Sequence, residues 1–257
     1  MNTLVETYSI FFRFFEELND FLPEGKREVE FSYQCKANKL NIKDIIESLG
    51  VPHTEIDVIL VNGKPVDFTY SIQADDSIAV YPINHLSNKD ITKKVSPEPL
   101  EEKRFVLDVH LGKLAKYLRL VGFDTLYRND YDDPELAEIS QNENRILLTK
   151  DRNLLKRKIV KHGYCVRSND SQVQLLEIVN RFDLKKSINR KKGRCLTCNT
   201  ILEKVKKEKV LHHLEPLTFQ YYDDFSYCQE CDQVFWKGSH YDKMKESLID
   251  FVLTTSL

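Results

Sequence analysis

Short apolar runs separated by polar breaks organise the first 85 residues and predict a small mixed unit. "ETYSIFFRFF" and "REVEFSYQC" carry aromatic and β-branched side chains at strand spacing. "NIKDIIESLG" sets Ile42, Ile45, Ile46 and Leu49 on one helical face, with Gly50 as the stop. "IDVILVNGKPV" and "DSIAVYP" return to strand character, and Asn62-Gly63 is a turn signal because both residue types accept positive φ. The predicted order over residues 5–85 is ββαββ.

Residues 86–103, "LSNKDITKKVSPEPLEEK", are polar, contain two prolines and lack an apolar period, which predicts a linker. From 104 onward the pattern changes to strands alternating with helices. "RFVLDV" is followed by a helix over 111–121, "DTLYR" by 134–143, "RILLTK" by 152–161 and "GYCVRS" by 171–181. "SHYDKMKESLIDFVL" closes the chain with Met244, Leu248 and Val252 on one stripe. Alternation of this kind predicts a parallel α/β sheet flanked by helices.

Ligand sites in such sheets lie beyond the carboxyl ends of the strands. Asp108, Asp133, Asp151 and Asp170 fall there. Any one of them can be a helix cap, Asp133 before Pro134 especially. Jointly they point to a site for a hard cation, Mg²⁺ or Mn²⁺, that activates water for attack on a phosphodiester. Asp132 and Glu135 are neighbours able to replace Asp133. Lys113, Lys116 and Arg119 recur every three residues on the helix after Asp108, while Leu111, Leu114, Ala115 and Leu118 take the core side. A basic face beside an acidic metal site suits a phosphate backbone.

Charge and cysteine content sharpen this picture. The net charge of −2 is uneven: residues 1–85 hold 7 Lys+Arg against 14 Asp+Glu, so the remainder is net positive. Ten of those cations, Lys191, Lys192 and Arg194 among them, cluster in 185–209 against Glu203 and Glu208. Cys195 and Cys198 pair with Cys228 and Cys231 as two CxxC knuckles 29 residues apart, the spacing of a closed, structural Zn²⁺ site in a ribbon at about 194–236 with a β-hairpin arm between the knuckles. His212 and His213 are further nitrogen ligands nearby, but four thiolates already fill a tetrahedral ion. Cys35 and Cys165 read as buried thiols. Tyr221, Tyr222 and Trp236 are candidate stacking residues for unpaired bases. Glu6, Arg13, Glu16 and Glu17 interrupt the apolar start, which points away from a leader or a membrane span and towards the cytoplasm.

Two resemblances follow. Residues 5–85 resemble the β-grasp fold of ubiquitin and small sulfur carriers, but "AVYPINHLSN" stands where a carrier has its terminal Gly-Gly. "RFVLDVHLGKLAKYLRLVGFDTLY", "DDPELAEIS", "RILLTKDRNLLKRK", "CLTC" and "CQECDQVFWKGSHYDKM", over about 104–247, resemble the Mut-seven C-terminal RNase family of PIN-like nucleases. That resemblance implies a PIN-like nuclease domain over 104–257 containing a zinc ribbon, an N-terminal ubiquitin-like domain, and metal-dependent cleavage of RNA. It implies Asp108 and Asp151 as metal-binding acids, Asp133 as the second and Asp170 as a fourth. The alternative is a catalytically silent nucleic-acid-binding module, or an adaptor recruiting a protein partner through the β-grasp unit. A haloacid-dehalogenase-type phosphatase fits less well, because His110 stands where its second Asp is required.

Overall fold

The computed structural model describes residues 7–36, 41–83, 93–188, 193–236 and 240–255. They divide into two units, Met1–Leu100 with Asp151–Cys165, and Glu101–Lys150 with Val166–Leu257. In chain order the strands are β1 (Thr7–Phe14), β2 (Phe31–Lys36), β3 (Ile56–Val61), β4 (Lys64–Val66), β5 (Ser77–Pro82), β6 (Phe105–Leu107), β7 (Thr125–Leu126), β8 (Ile146–Thr149), β9 (Gly163–Cys165), β10 (Glu203–Val205), β11 (Phe225–Cys228) and β12 (Gln233–Trp236). The α-helices are α1 (Ile42–Ser48), α2 (Gly112–Leu120), α3 (Asp133–Asn142), α4 (Arg152–Leu155), α5 (Ser171–Arg181), α6 (Pro216–Tyr221) and α7 (His240–Thr254). Among the described residues, no helix is long and apolar enough to cross a membrane.

In the first unit the sheet order is β2-β1-β5-β3-β4, with β1 and β5 parallel at its centre and the other pairs antiparallel. This is the β-grasp arrangement that the ββαββ pattern predicts, with β4 as an added short strand. Asn62 (φ 49) and Gly63 (φ 76) make the β3–β4 turn, and two consecutive positive φ values define the hairpin turn whose twist suits the flanking strands. Ile42, Ile45 and Ile46 of α1 are buried and Leu49 is half-buried at its C-cap, after which Gly50 (φ 103) ends the helix. Phe12 is fully buried and stacks with Phe14 and Phe31 at centroid distances of 5.7 and 6.2 Å.

Part of the segment read as a linker is tied to this unit: Val95 N donates to Asp57 O and Lys94 Nζ to Asp57 Oδ2, at 2.8 and 3.0 Å. The later insertion is tied to it as well. Arg152 Nη1 donates to Phe21 O (3.1 Å), His53 Nε2 lies 3.0 Å from Val160 O, and Cys165 N donates to Glu55 Oε1 (2.7 Å). The helix expected over 152–161 stops at Leu155. Ile159 and Val160 continue the apolar spacing and Val160 is buried, but the chain leaves the helix for a turn in which Val160 N donates to Arg157 O (2.9 Å).

In the second unit, β7, β6 and β8 lie side by side in that order and run parallel, pairing Phe105 with Thr125 and Ile146. Leu111, Leu114, Ala115 and Leu118 are all buried, as their spacing predicts. α2, α5 and α7 pack on one another, with Leu248 and Val252 buried and Met244 half-buried. The ribbon sheet is antiparallel, β10-β11-β12. β10 and β11 pair as a hairpin should, but their connection is helical, a 3-10 turn at Lys207–His213 and then α6.

Phe12→Ala removes a ring that is wholly enclosed in the β-grasp core, so we expect a loss of about 3–5 kcal/mol. Urea unfolding of the variant checks this, and a loss below about 1 kcal/mol would mean that Phe12 is not a core anchor.

Candidate functional site

Asp108 ends β6, the middle strand of the three, and is 5% exposed. Its backbone N donates to Leu148 O (3.1 Å), which continues the ladder to β8. Its Oδ1 accepts from His110 N (2.8 Å), which makes it the cap of the 3-10 turn Val109–Leu111 leading into α2. Its Oδ2 accepts from Lys150 N (3.0 Å) and from the Thr149 hydroxyl. A carboxylate inside the apolar stretch "FVLD" is thus held by three donors from two strand ends, which fixes its position and offsets its burial.

The other three acids are exposed and sit at helix starts. Asp170 caps α5 through Gln172 N and Val173 N at 2.9 and 3.0 Å. Asp151, in the first unit, caps α4 through Asn153 N at 2.7 Å. The sequence reading of Asp133 as the cap of α3 needs correction. Asp132 is the N-cap and accepts from Glu135 N (2.8 Å), Asp133 is the first helical residue and Pro134 the second. Proline tolerates either early position because neither N–H has an intrahelical acceptor.

The basic face needs correction as well. Lys113 and Lys116 are exposed on α2, but Arg119 is only 4% exposed. Its guanidinium donates to Thr125 O (2.9 Å), Leu196 O (2.7 Å) and Thr197 O (3.1 Å), so it points into the ribbon's first knuckle and away from solvent. Burial lowers its pKa, opposed by the negative potential of Cys195 and Cys198. Arg194 is likewise turned inward: it donates to Asn199 O (2.8 Å) and Gly122 O (3.3 Å) and lies 3.8 Å from Asp124 Oδ2. Two of the six cations assigned to nucleic acid therefore hold protein backbone. Lys191 and Lys192 lie outside the described residues.

The four cysteines do converge. Cys195, Cys198, Cys228 and Cys231 bring their sulfurs within 4.8 Å of one another, with Cys198 and Cys228 at 3.3 Å. Cys195 N donates to Thr200 O (2.8 Å) and Asn199 N to Cys195 O (3.0 Å), the tight turn that presents both thiols of the first knuckle to one point. Asn199 (φ 71) and Asp232 (φ 53) follow the second cysteine of each pair in the left-handed region, which Asn and Asp enter more readily than other side chains. Burial works against charge on Cys198, but hydrogen bonds from Thr200, Cys231 and Cys228 outweigh it and bring its thiol down to about 6. Burial first, and the shared hydrogen bonds with the other thiols next, push Cys228 up to about 11. Four thiols converging on one point form a donor set that a soft divalent ion completes by displacing their protons. The group can hold a structural metal such as zinc.

This knuckle is bolted to the parallel sheet by residues that composition and spacing did not single out. Asn199 Oδ1 accepts from Thr125 N (3.0 Å), an amide of β7, and its Nδ2 donates to Asp124 Oδ1 (2.9 Å). Arg145 donates to the same Asp124 oxygen (2.6 Å), to Glu143 Oε2 (2.7 Å) and to Phe105 O (3.3 Å). Burial raises the pKa of Asp124, but the bonds from Arg145 and Asn199 and the charges of Arg145 and Arg194 hold its carboxyl below the usual carboxylate range. The one local signal was an Asn directly after CxxC, a residue type that accepts the left-handed turn.

A family model described as the Mut7-C RNAse domain matches residues 103–248, more than half of the chain. The chain belongs to the Mut7-C RNAse domain family. A second model, Mut7-C ubiquitin, matches residues 7–88, the β-grasp strands and their helix. No curated protein and no solved structure matches the chain. The Mut7-C RNAse match spans β6, α2, both CxxC pairs and most of α7, so the resemblance drawn from the order of motifs is borne out.

Within the Mut7-C RNAse domain, Arg119→Lys keeps the charge but cannot serve three carbonyls from one planar fork. We expect a stability loss of about 1.5–3 kcal/mol. Urea unfolding reads it, and a loss under about 0.5 kcal/mol would return Arg119 to the surface face.

Proposed function

We propose that the chain hydrolyses RNA phosphodiester bonds at a carboxylate-bound Mg²⁺ or Mn²⁺, with Zn²⁺ held by the four cysteines as a closed structural site. The observation that carries this reading is Asp108, a buried and triply hydrogen-bonded carboxylate at the carboxyl end of the middle parallel strand of a Mut7-C RNAse domain. Its oxygens are hard donors fixed by the Lys150 amide and the Thr149 hydroxyl, the donor chemistry that Mg²⁺ and Mn²⁺ take. When bound, such an ion lowers the pKa of water and offsets charge on the phosphodiester.

In this reading Asp133 and Asp170 are further oxygen ligands, and Asp151 is the remaining acid that the family resemblance implies. Each stands at a helix start, where the positive end of the helix dipole stabilises its negative charge. Lys113 and Lys116 bind the phosphates that flank the scissile bond. The β-grasp unit recruits a protein partner, and four thiols kept reduced suit the cytoplasm.

End-labelled RNA incubated with Mg²⁺ or Mn²⁺ tests the site. Asp108→Asn is expected to lose roughly tenfold to a hundredfold or more in cleavage rate while still binding RNA. Cleavage equal to wild type would remove Asp108 from the site, and RNA bound by the wild type without cleavage would favour the silent nucleic-acid-binding module. For the Lys113→Ala/Lys116→Ala variant we expect weaker RNA binding, with the slope of log affinity against log salt shallower by about 1.4, at about 0.7 per phosphate contact. Its thermal midpoint should match wild type because both lysines are exposed. An unchanged salt slope would mean that neither touches phosphate.

A further inference from the structure

A second cluster of metal-ligating atoms lies beside the ribbon, outside the four cysteines. His212, His213 and Asp232 each bring one ligand atom into a group whose members are all within 4.8 Å of one another. His212 and His213 close the 3-10 turn Lys207–His213, with ring centroids 4.1 Å apart. Asp232 reaches them from the second knuckle, where its left-handed backbone turns the side chain out just after Cys231.

We infer that His212, His213 and Asp232 form a second divalent-metal site, for Zn²⁺ or the similar ions Co²⁺ and Ni²⁺, that clasps the helical arm Lys206–Tyr222 onto the second knuckle. Two observations beside the convergence of the three side chains favour the metal. His213 Nε2 is buried and makes no hydrogen bond, although Asp232 Oδ1 is 2.9 Å away. The two atoms are close to the separation of co-ligands, since with metal bonds of about 2.0–2.1 Å neighbouring ligands of a tetrahedral ion stand about 3.3 Å apart. Asp232 is also held in place, since Tyr227 Oη donates to the same Oδ1 at 2.6 Å. Support of that kind orients a ligating carboxylate and tightens metal binding.

The donor set fixes the chemistry. Two imidazoles and a carboxylate suit borderline ions better than Mg²⁺ or Ca²⁺, and three protein ligands leave a fourth position for water or an anion. The site is separate from the nuclease reading and stands if that reading falls.

Titration of the metal-free full-length chain with Co²⁺ under reducing conditions separates the two sites. A four-thiolate site gives an intense thiolate-to-cobalt band, and a site of nitrogen and oxygen donors gives only weak visible bands. We expect two equivalents in the wild type, the first carrying the thiolate band. In His213→Gln and in Asp232→Asn the second equivalent should bind at least tenfold more weakly, with the thiolate band unchanged as proof that the ribbon folds. Asn is chosen at 232 because it accepts the left-handed backbone found there. Saturation of the wild type at one equivalent, or a second equivalent that binds both variants as tightly as wild type, overturns the site.

Discussion

The fork of Arg119 is the constraint on which the second unit turns. It rises from α2, whose other face forms the core, and closes on three carbonyls, one on the edge strand β7 and two on the first cysteine knuckle. Asn199 completes the joint by accepting from the amide of Thr125, so the knuckle takes the place of a further strand at the edge of β7. An unpaired edge is a liability in any sheet, and a metal-sized turn is an economical cover for it. The geometry also explains why a buried arginine is tolerated. Its charge faces carbonyl oxygens and the thiol cluster, whose negative potential opposes the lowering of its pKa by burial.

The acidic residues divide along a physical line that the sequence alone did not draw. Asp151 and Asp170 each satisfy an ordinary capping role, and Asp132 performs it for α3 in place of Asp133. Asp108 differs because it is interior to the sheet and its partners come from two strand ends. An acid whose only task was to cap a three-residue turn could sit in water, where the same N–H bond has no burial to offset. Its burial at the end of the middle strand is therefore the feature that capping does not explain, and it separates Asp108 from the other three candidates.

Much of the fold was legible because it rests on periodicities that survive any tertiary context. Strand alternation, the isoleucine face of α1, the Asn62-Gly63 turn and the leucines of α2 all emerge where the spacing puts them. The paired CxxC motifs converge because two short turns leave the thiols few places to go. What was not legible depends on partners distant in sequence. Nothing near Asp124 announces that Arg145, Arg194 and Asn199 will meet there, and nothing near Asp232 announces His213. The helix predicted over 152–161 ends at Leu155 for the same reason: Ile159 and Val160 keep the helical apolar spacing, but the chain turns at Arg157–Val160 and Val160 O meets His53, distant in sequence, at 3.0 Å.

Arg119 shows how a regular spacing misleads. Residues three apart on an α-helix are separated by about 300°, so a series of three drifts backward by about 60° at each step. Taking Lys113 as the origin, the buried Leu111, Leu114, Ala115 and Leu118 centre near 150°, and both Lys113 and Lys116 lie about 150° from that centre. Arg119 lies only about 90° from it, at the border of the core face. A long side chain at a border can lean either way, and the direction is set by what it finds there. Lysine would have carried one charge to solvent, whereas arginine brings a planar set of five donors, and the knuckle offers carbonyls in reach of them. The identity of the third residue in the series was thus the informative feature, because it marks the point where a basic face ends and an internal joint begins.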